Sequence, residues 1–194
     1  MNQNIPEIST PIEEEPQPDR LQAFLREILE TIVLALVLFF IINTVTARIR
    51  VEGSSMLPSL HHNNYVIVSR LTYRFGVVER GDVVVFEFPH NKNEDYIKRV
   101  IALPGETIEI SNGFVYINGQ PIEEPYINAP LARDYPAVMV PQEMVYVMGD
   151  NRNDSSDSRR WGALSVEDII GKAIFVYWPL SDFGMVEHYD YGTP

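Results

Sequence analysis

The sequence contains no cysteine, and it has only 15 lysine and arginine residues against 27 aspartate and glutamate residues. The absence of cysteine excludes a disulfide scaffold, a thiolate zinc site and a cysteine nucleophile. The formal net charge of −12 argues against a nucleic-acid partner, because such proteins normally present a basic surface. None of the 4 histidines has the H-E-x-x-H spacing, which argues against a zinc peptidase of that type.

The N-terminal segment, residues 1–27, has little apolar surface. Its first twenty residues include four prolines and five acidic residues but only one basic residue, Arg20. Too little apolar area is available there to offset the loss of chain entropy on folding. We therefore predict a disordered tail over residues 1–27.

An uncharged apolar run follows from Thr31 to Ala47, and we predict one transmembrane helix over residues 28–47. A buried core helix is an alternative, although such helices usually carry a polar stripe. A cleavable signal peptide is another, because Val45-Thr46-Ala47 has the small residues of a cleavage site. The run is long for a signal peptide and follows an acidic tail, so a retained, single-pass anchor is favoured.

Residues 48–194 are predicted to be mainly β. Segments rich in β-branched and aromatic residues predict strands at 48–52, 65–69, 83–88, 96–103, 107–110, 114–117, 145–148 and 173–178. Ser111-Asn112-Gly113 predicts a hairpin turn. A short helix is expected over 165–170, and an irregular connection over 121–141, which holds five prolines.

Two segments carry candidate catalytic groups. Ser55 lies in Gly53-Ser54-Ser55-Met56-Leu57-Pro58, which is either an ordinary polar turn or a rigid turn that presents a hydroxyl. Lys98 and Arg99 lie within a predicted strand, so one of these cations must face a largely apolar side. Lys98 is therefore either a snorkelling or ion-paired residue, or a lysine whose pKa is lowered enough to act as a base.

A third segment, residues 149–159, is polar and rich in short hydroxyls. The spacing from Asp150 fails as a calcium loop, since the sixth residue is Ser155 and the twelfth is Trp161. The segment is either a plain solvated loop or a salt-bridged loop, with Asp157 and Arg159, that orients another group.

In combination and order, these segments resemble the type I signal peptidases, membrane-bound Ser-Lys proteases that remove signal peptides from exported proteins. The likeness covers nearly all of residues 30–178. It includes the apolar helix, the Ser55 turn, Arg80-Gly81-Asp82 with the strand after it, the segment from Tyr96 to Glu106 that contains Lys98, and Gly149-Asp150-Asn151-Arg152 with the residues that follow.

The resemblance implies a role for each matching residue. Ser55 would be the nucleophile and Lys98 the general base, with Ser155 orienting the lysine. Asp157 and Arg159 would form a supporting ion pair, and Asp150 would add a further carboxylate. The backbone N–H of Ser55 would form part of the oxyanion hole. Some relatives place a serine two residues before the nucleophile, but this chain has Gly53, which leaves the second donor unassigned.

The resemblance also implies a fold: a mainly antiparallel β catalytic core of the signal-peptidase and LexA-like type, with a short β insertion at about 106–145. The catalytic domain, residues 48–194, would lie on the extracytoplasmic side and the N-terminus in the cytoplasm. Arg20 and Arg26 before the helix, against Arg48 and Arg50 after it, leave this orientation open.

The implied substrates are signal peptides of secreted preproteins with small residues at positions −3 and −1, cut without a metal or cofactor. The lipid bilayer and the export machinery are the expected partners, and nucleic acid is not. An extended substrate can add to a strand edge, for which we predict 52–55 or 82–86. Gly53, Met56, Val84 and Tyr96 are the predicted pocket residues.

Two other functions fit parts of the pattern. A LexA-like self-cleaving peptidase shares the Ser-Lys chemistry but usually carries a DNA-binding domain, which this sequence lacks. A membrane-anchored β domain could also bind exported peptides without cutting them. Such a binder has no need of a lysine on an apolar strand face, so Lys98 favours the enzyme.

Overall fold

A computed structural model describes residues 20–189 and 191. The chain divides into two compact units at residues 41 and 42. The first nineteen residues of the predicted tail lie outside the described residues. Residues 20–27, which we also placed in that tail, are helical instead.

Helix α1 spans Arg20–Val45 and has 26 residues, whereas we predicted residues 28–47. It begins earlier because an ion pair four residues apart, Arg26 with Glu30, continues the helix beyond the uncharged run. It ends earlier because Thr46 and Ala47 already belong to a strand. None of its residues is buried. Among the described residues it is the one helix long and apolar enough to cross a membrane, with a mean hydropathy of 2.5.

The described residues of the second unit form twelve strands, and all the pairings among them are antiparallel. In chain order the strands are β1 Thr46–Arg50, β2 Tyr65–Ser69, β3 Val83–Phe88, β4 Asn91–Ala102, β5 Thr107–Ser111, β6 Phe114–Ile117, β7 Gln120–Pro121, β8 Tyr135–Met139, β9 Met144–Met148, β10 Leu164–Ser165, β11 Ile169–Trp178 and β12 Gly184–Met185. The predicted mainly antiparallel β fold after an apolar helix is therefore confirmed.

The strands form two sheets. The larger has eight strands in the order β1-β2-β11-β3-β4-β9-β10, with β12 also paired to β11. The smaller has four strands in the order β7-β6-β5-β8 and lies within the segment predicted as an insertion. Its β5–β6 hairpin turns at Asn112 and Gly113, with φ of 52° and 83°. Two successive positive φ values are what a tight two-residue hairpin turn requires.

Three sequence expectations about these elements were wrong. The connection 121–141 is not irregular throughout, since β8 pairs with β5, and β8 tolerates Pro136 because it is an edge strand. The helix expected at 165–170 shrinks to a 3₁₀ turn at Val166–Asp168, because β11 already begins at Ile169. The strand predicted at 96–103 begins earlier, because the polar residues before Tyr96 belong to it. They extend β4 back to Asn91 as an exposed ribbon with β3.

The larger sheet has open strand edges at β1 and along part of β4. Strand β1 lies at the end of its sheet and pairs with β2 alone among the described strands. Strand β4 pairs with β3 from Asn91 to Arg99, but β9 joins its other side only from Arg99 onward. The stretch of β4 before Arg99 therefore has one edge free of any described strand. Two short helices, α2 Thr72–Phe75 and α3 Ser158–Trp161, complete the unit.

Candidate active site

Ser55 and Lys98 meet although 43 residues separate them. Nζ of Lys98 lies 2.8 Å from Oγ of Ser55 and donates a second hydrogen bond to the carbonyl of Ile97, also at 2.8 Å. The Ser55 turn is held in place by the core, because the next residue, Met56, is buried together with Leu60. The lysine comes from the middle of the larger sheet, so both partners sit on rigid supports.

Burial lowers the pKa of Lys98 from 10.5 to about 8, against the attraction of Asp157 and Asp150, which raises it. Only 4% of the residue is exposed. Removing an ammonium group from water disfavours its charged form. A substantial fraction of this amine is therefore neutral at mildly alkaline pH, and it lies 2.8 Å from the Ser55 hydroxyl.

Arg99, the next residue, is buried as well, so both neighbouring cations face the interior. Its guanidinium donates to both carboxylate oxygens of Asp150, at 2.9 and 2.7 Å, and to the carbonyl of Gly81 at 2.8 Å. A bidentate partner of this kind stabilises the buried charge. Arg99 thus keeps its charge by ion pairing, while Lys98 has no carboxylate in direct contact among the described residues.

The loop 149–159 supports the turn that carries Ser55. The backbone N–H of Asn151 donates to the carbonyl of Ser55 at 3.0 Å, and its side chain donates to the carbonyl of Ser54 at 3.1 Å. Ser54 in turn donates its hydroxyl to Asp154 at 2.6 Å. Sequence reasoning assigned no role to Asn151, Asp154 or Ser54. Their contacts span about a hundred residues, so no local pattern could have indicated them.

The expected ion pair between Asp157 and Arg159 is present, with nitrogen–oxygen distances of 2.7 and 2.6 Å. Asp157 also accepts a hydrogen bond from the backbone of Gly149 at 3.0 Å. The hydrogen bond expected from Ser155 to Lys98 is absent from this structure. The Ser155 hydroxyl is buried without a hydrogen-bond partner among the described residues. The Ile97 carbonyl accepts a hydrogen bond from Lys98 instead.

The backbone N–H of Ser55 donates to no acceptor among the described residues and is free to bind an oxyanion. The N–H of Gly53 is already used, since it donates to Nδ1 of His62 at 3.1 Å. The hydroxyl of Ser54 is held by Asp154. The Gly53 N–H and the Ser54 hydroxyl are therefore engaged elsewhere, and neither is the second donor that the sequence left unassigned.

A cavity of about 690 Å³ contains the Ser55 and Lys98 side chains. We call it the groove, and its walls are the two open edges: β1 with the residues after it, and the free stretch of β4. The lining residues are Arg48, Ile49, Arg50, Val51, Glu52, Ser55, Val85, Glu94, Asp95, Tyr96, Ile97, Lys98 and Ser156.

Only Tyr96 of the four predicted pocket residues lines the groove. Met56 packs in the core beside Leu60, and Val84 faces a second buried cluster with Phe86 and Val100. Val85, on the opposite face of the same strand, lines the groove instead. Gly53 is exposed outside the lining. The predicted edge at 82–86 was also wrong, because β3 has β11 on one side and β4 on the other.

One group of possible metal ligands lies elsewhere in the described part of the chain: Glu79, Asp82 and His188. The ammonium of Lys172 already lies 2.5 Å from the Asp82 carboxylate. A metal ion would have to displace that ammonium. This cluster does not line the groove.

A turn that carries a serine hydroxyl, a buried amine with a lowered pKa and two open strand edges are the features of a serine peptidase class of site. The family model described as signal peptidase, peptidase S26, matches residues 25–178. This chain therefore belongs to the signal peptidase family, peptidase S26.

Two sequence relatives agree with the family assignment. A probable signal peptidase I-1 of Synechocystis is 41% identical over 171 residues, covering 84% of this chain and 87% of the relative. A signal peptidase I of Leptolyngbya laminosa is 42% identical over 168 residues, covering 82% and 83%. A crystal structure of a signal peptidase I from Enterococcus faecalis, 32% identical, covers 50% of this chain and 96% of that one, with a TM-score of 0.46.

Proposed function

We propose that Ser55 and Lys98 carry out the type I signal peptidase activity of this protein. The observation that carries the proposal is the 2.8 Å contact between the Ser55 hydroxyl and the buried amine of Lys98, whose pKa is lowered to about 8. A serine nucleophile needs a neighbouring base that is neutral at the working pH. Among the described lysines, Lys92 is exposed and Lys172 is paired with Asp82, so neither is an alternative.

The reaction follows in two halves. The neutral amine of Lys98 takes the proton of Ser55 as Oγ attacks the carbonyl carbon of the scissile bond. The N–H of Ser55 stabilises the oxyanion of the tetrahedral intermediate. As the C–N bond breaks, the ammonium of Lys98 returns the proton to the departing amine, which is the new N-terminus of the mature protein.

The acyl-enzyme is then hydrolysed by water. Lys98, again neutral, takes a proton from that water as its oxygen attacks the ester carbon. The second tetrahedral intermediate collapses, the carboxyl end of the signal peptide leaves, and the proton returns to Oγ of Ser55. Two ion pairs near the amine, Arg99 with Asp150 and Arg159 with Asp157, leave it without a carboxylate partner during both halves.

The preprotein would bind in the groove as an added β-strand. Backbone groups of the free edges of β1 and β4 would pair with it, and alternate side chains would point to the same wall. Ile49, Val85 and Ile97 give that wall apolar character. Small side chains at positions −3 and −1 fit this arrangement, because both would point the same way into shallow apolar space.

Helix α1 supports a single-pass, membrane-anchored enzyme whose substrates are membrane-inserted preproteins. We place the N-terminus in the cytoplasm and the catalytic unit on the extracytoplasmic side, where signal peptides end after export. The bilayer and the export machinery are then its natural partners.

Cleavage of a preprotein by the detergent-solubilised full chain tests the assignment. Ser55→Ala and Lys98→Arg should each lose nearly all activity, since the first has no nucleophile and the second has a side chain that cannot deprotonate. The matched control Lys92→Arg, at an exposed lysine, should keep it. Near-normal turnover by Ser55→Ala or Lys98→Arg would exclude that residue from its proposed catalytic role.

A further inference from the structure

A second cavity of about 450 Å³ lies next to the groove and has no role in the steps above. We call it the arginine cavity. One side comes from residues 132–135, which lead into β8 of the smaller sheet, and the other from residues 152–160. Its lining residues are Ala132, Arg133, Tyr135, Arg152, Asn153, Ser155, Arg159 and Arg160.

The arginine cavity has an excess of positive charge. Arg152 is neutralised by Glu124 and Arg159 by Asp157. The side chains of Arg133 and Arg160 are exposed and have no ion pair or hydrogen bond within the described part of the protein. No acidic residue in that part lines the cavity. In a chain of net charge −12, this is a local site for an anion, because two uncompensated guanidinium groups converge there.

The arginine cavity is next to the nucleophile. Successive residues of one loop line the two spaces, Ser155 the arginine cavity and Ser156 the groove. Oγ of Ser155 and the carbonyl oxygen of Ser55 each lie 2.4 Å from the same point, the position that a Cβ on Gly149 would occupy. The Ser155 side chain, which lines the arginine cavity, therefore lies close to the backbone of Ser55.

A preprotein must continue beyond Ser55 after filling the groove. The residues before the scissile bond lie along the free edges of β1 and β4, so the mature residues leave on the other side of Ser55. Each extended residue advances the chain by about 3.3 Å. The second to fourth mature residues would therefore lie about as far from the scissile bond as the arginine cavity is wide.

We propose that the arginine cavity is a subsite for the mature side of the substrate, in which Arg133 and Arg160 favour an acidic side chain among the first few mature residues. The inference rests on the proposed function, because it requires a cleaved preprotein. Exposed ion pairs of this kind contribute modestly. Two of them should change kcat/KM by about three- to tenfold between an acidic and a basic substrate.

Matched peptides test the subsite with the full chain in detergent micelles. The peptides share one signal-side sequence with alanine at −3 and −1 and differ at mature positions 2–4, which carry aspartate, asparagine or lysine. Wild type should prefer aspartate over lysine by about three- to tenfold at low ionic strength, and roughly 0.5 M salt should reduce that preference.

Two double variants test whether Arg133 and Arg160 cause the preference for aspartate over lysine. Arg133→Gln with Arg160→Gln should bring the aspartate-to-lysine ratio close to one, and Arg133→Glu with Arg160→Glu should reverse it. Arg70→Gln with Arg74→Gln removes the same charge from exposed positions outside both cavities and should leave the ratio as in wild type.

Each contrary outcome has a separate meaning. Cleavage of all three peptides with equal kcat/KM, or a preference that survives the Arg133 and Arg160 substitutions, overturns the subsite and leaves the peptidase assignment standing. Failure of wild type to cleave any of the peptides or a preprotein overturns both.

Discussion

Replacing Lys98 by methionine should stabilise the folded protein at neutral pH while abolishing its activity. Methionine has similar length and no charge. In the native protein, burial lowers the pKa of Lys98 from 10.5 to about 8, so folding must work against the burial of an ammonium group. The structure therefore predicts that Lys98, the proposed general base, reduces the free energy of unfolding.

The magnitude and its pH dependence follow from the two pKa values. Below pH 8 the lysine is charged in both the native and the unfolded protein. The whole difference between the two pKa values then lowers the free energy of unfolding by about 3 kcal/mol. Between pH 8 and 10.5 the unfolded chain binds the proton and the native chain does not, so stability rises with pH. By about pH 9.5, roughly 2 kcal/mol of the penalty should have disappeared.

Thermal unfolding of the full chain in detergent, followed by tryptophan fluorescence, measures this effect. Both tryptophans, Trp161 and Trp178, lie in the β unit. The Tm difference between Lys98→Met and wild type should be about 4–8 °C smaller at about pH 9.5 than at about pH 6.5. Lys92→Met, at an exposed lysine, is the control and should show a constant difference from wild type. A constant difference for Lys98→Met would show that the pKa of Lys98 is not lowered by folding.

Two further predictions concern the same site. The wild-type kcat/KM should rise nearly tenfold for each step of one pH unit below about pH 8 and level off above it, because only the neutral amine can accept the proton; a rate independent of pH across that range would contradict this. Gly149→Ala should lower cleavage by at least roughly tenfold, because its Cβ would lie 2.4 Å from both Ser155 Oγ and the Ser55 carbonyl oxygen, whereas Gly184→Ala, where no atom lies within 4 Å, should cleave normally.

The strand pattern was readable from sequence because β-branched and aromatic residues mark most of the buried strands. The predicted bounds of the strands 65–69, 83–88 and 114–117 agree with the structure residue for residue. The start of β4 was missed because its first five residues are polar and exposed. A strand that protrudes as a ribbon has no buried face, so it leaves no apolar alternation in the sequence.

The pocket walls were harder to predict. Alternation shows that Val84 and Val85 point to opposite faces of β3, but it does not show which face meets the groove. That choice depends on β11, which pairs with β3 from a position more than eighty residues later in the chain. The same long-range pairing covers the edge at 82–86 that we expected to be open to substrate.

Lys98 and Arg99 are adjacent in one strand, yet burial lowers the pKa of Lys98 whereas an ion pair keeps Arg99 charged. The sequence required one of them to face an apolar side, yet both are buried, and the difference between them is their partners. Two carboxylates act on Lys98 from a distance and raise its pKa, Asp157 and Asp150. Each is bound by an arginine, Arg159 and Arg99 respectively.

Neutralising those carboxylates has a direct chemical consequence. An unpaired aspartate near Lys98 would stabilise the ammonium and raise its pKa toward the ordinary value, where the amine is almost fully protonated at neutral pH. With both carboxylates engaged, desolvation remains the largest influence, and the amine stays available to take a proton. In this arrangement the two arginines keep the carboxylates that order the loop from raising the pKa of the proposed base, Lys98.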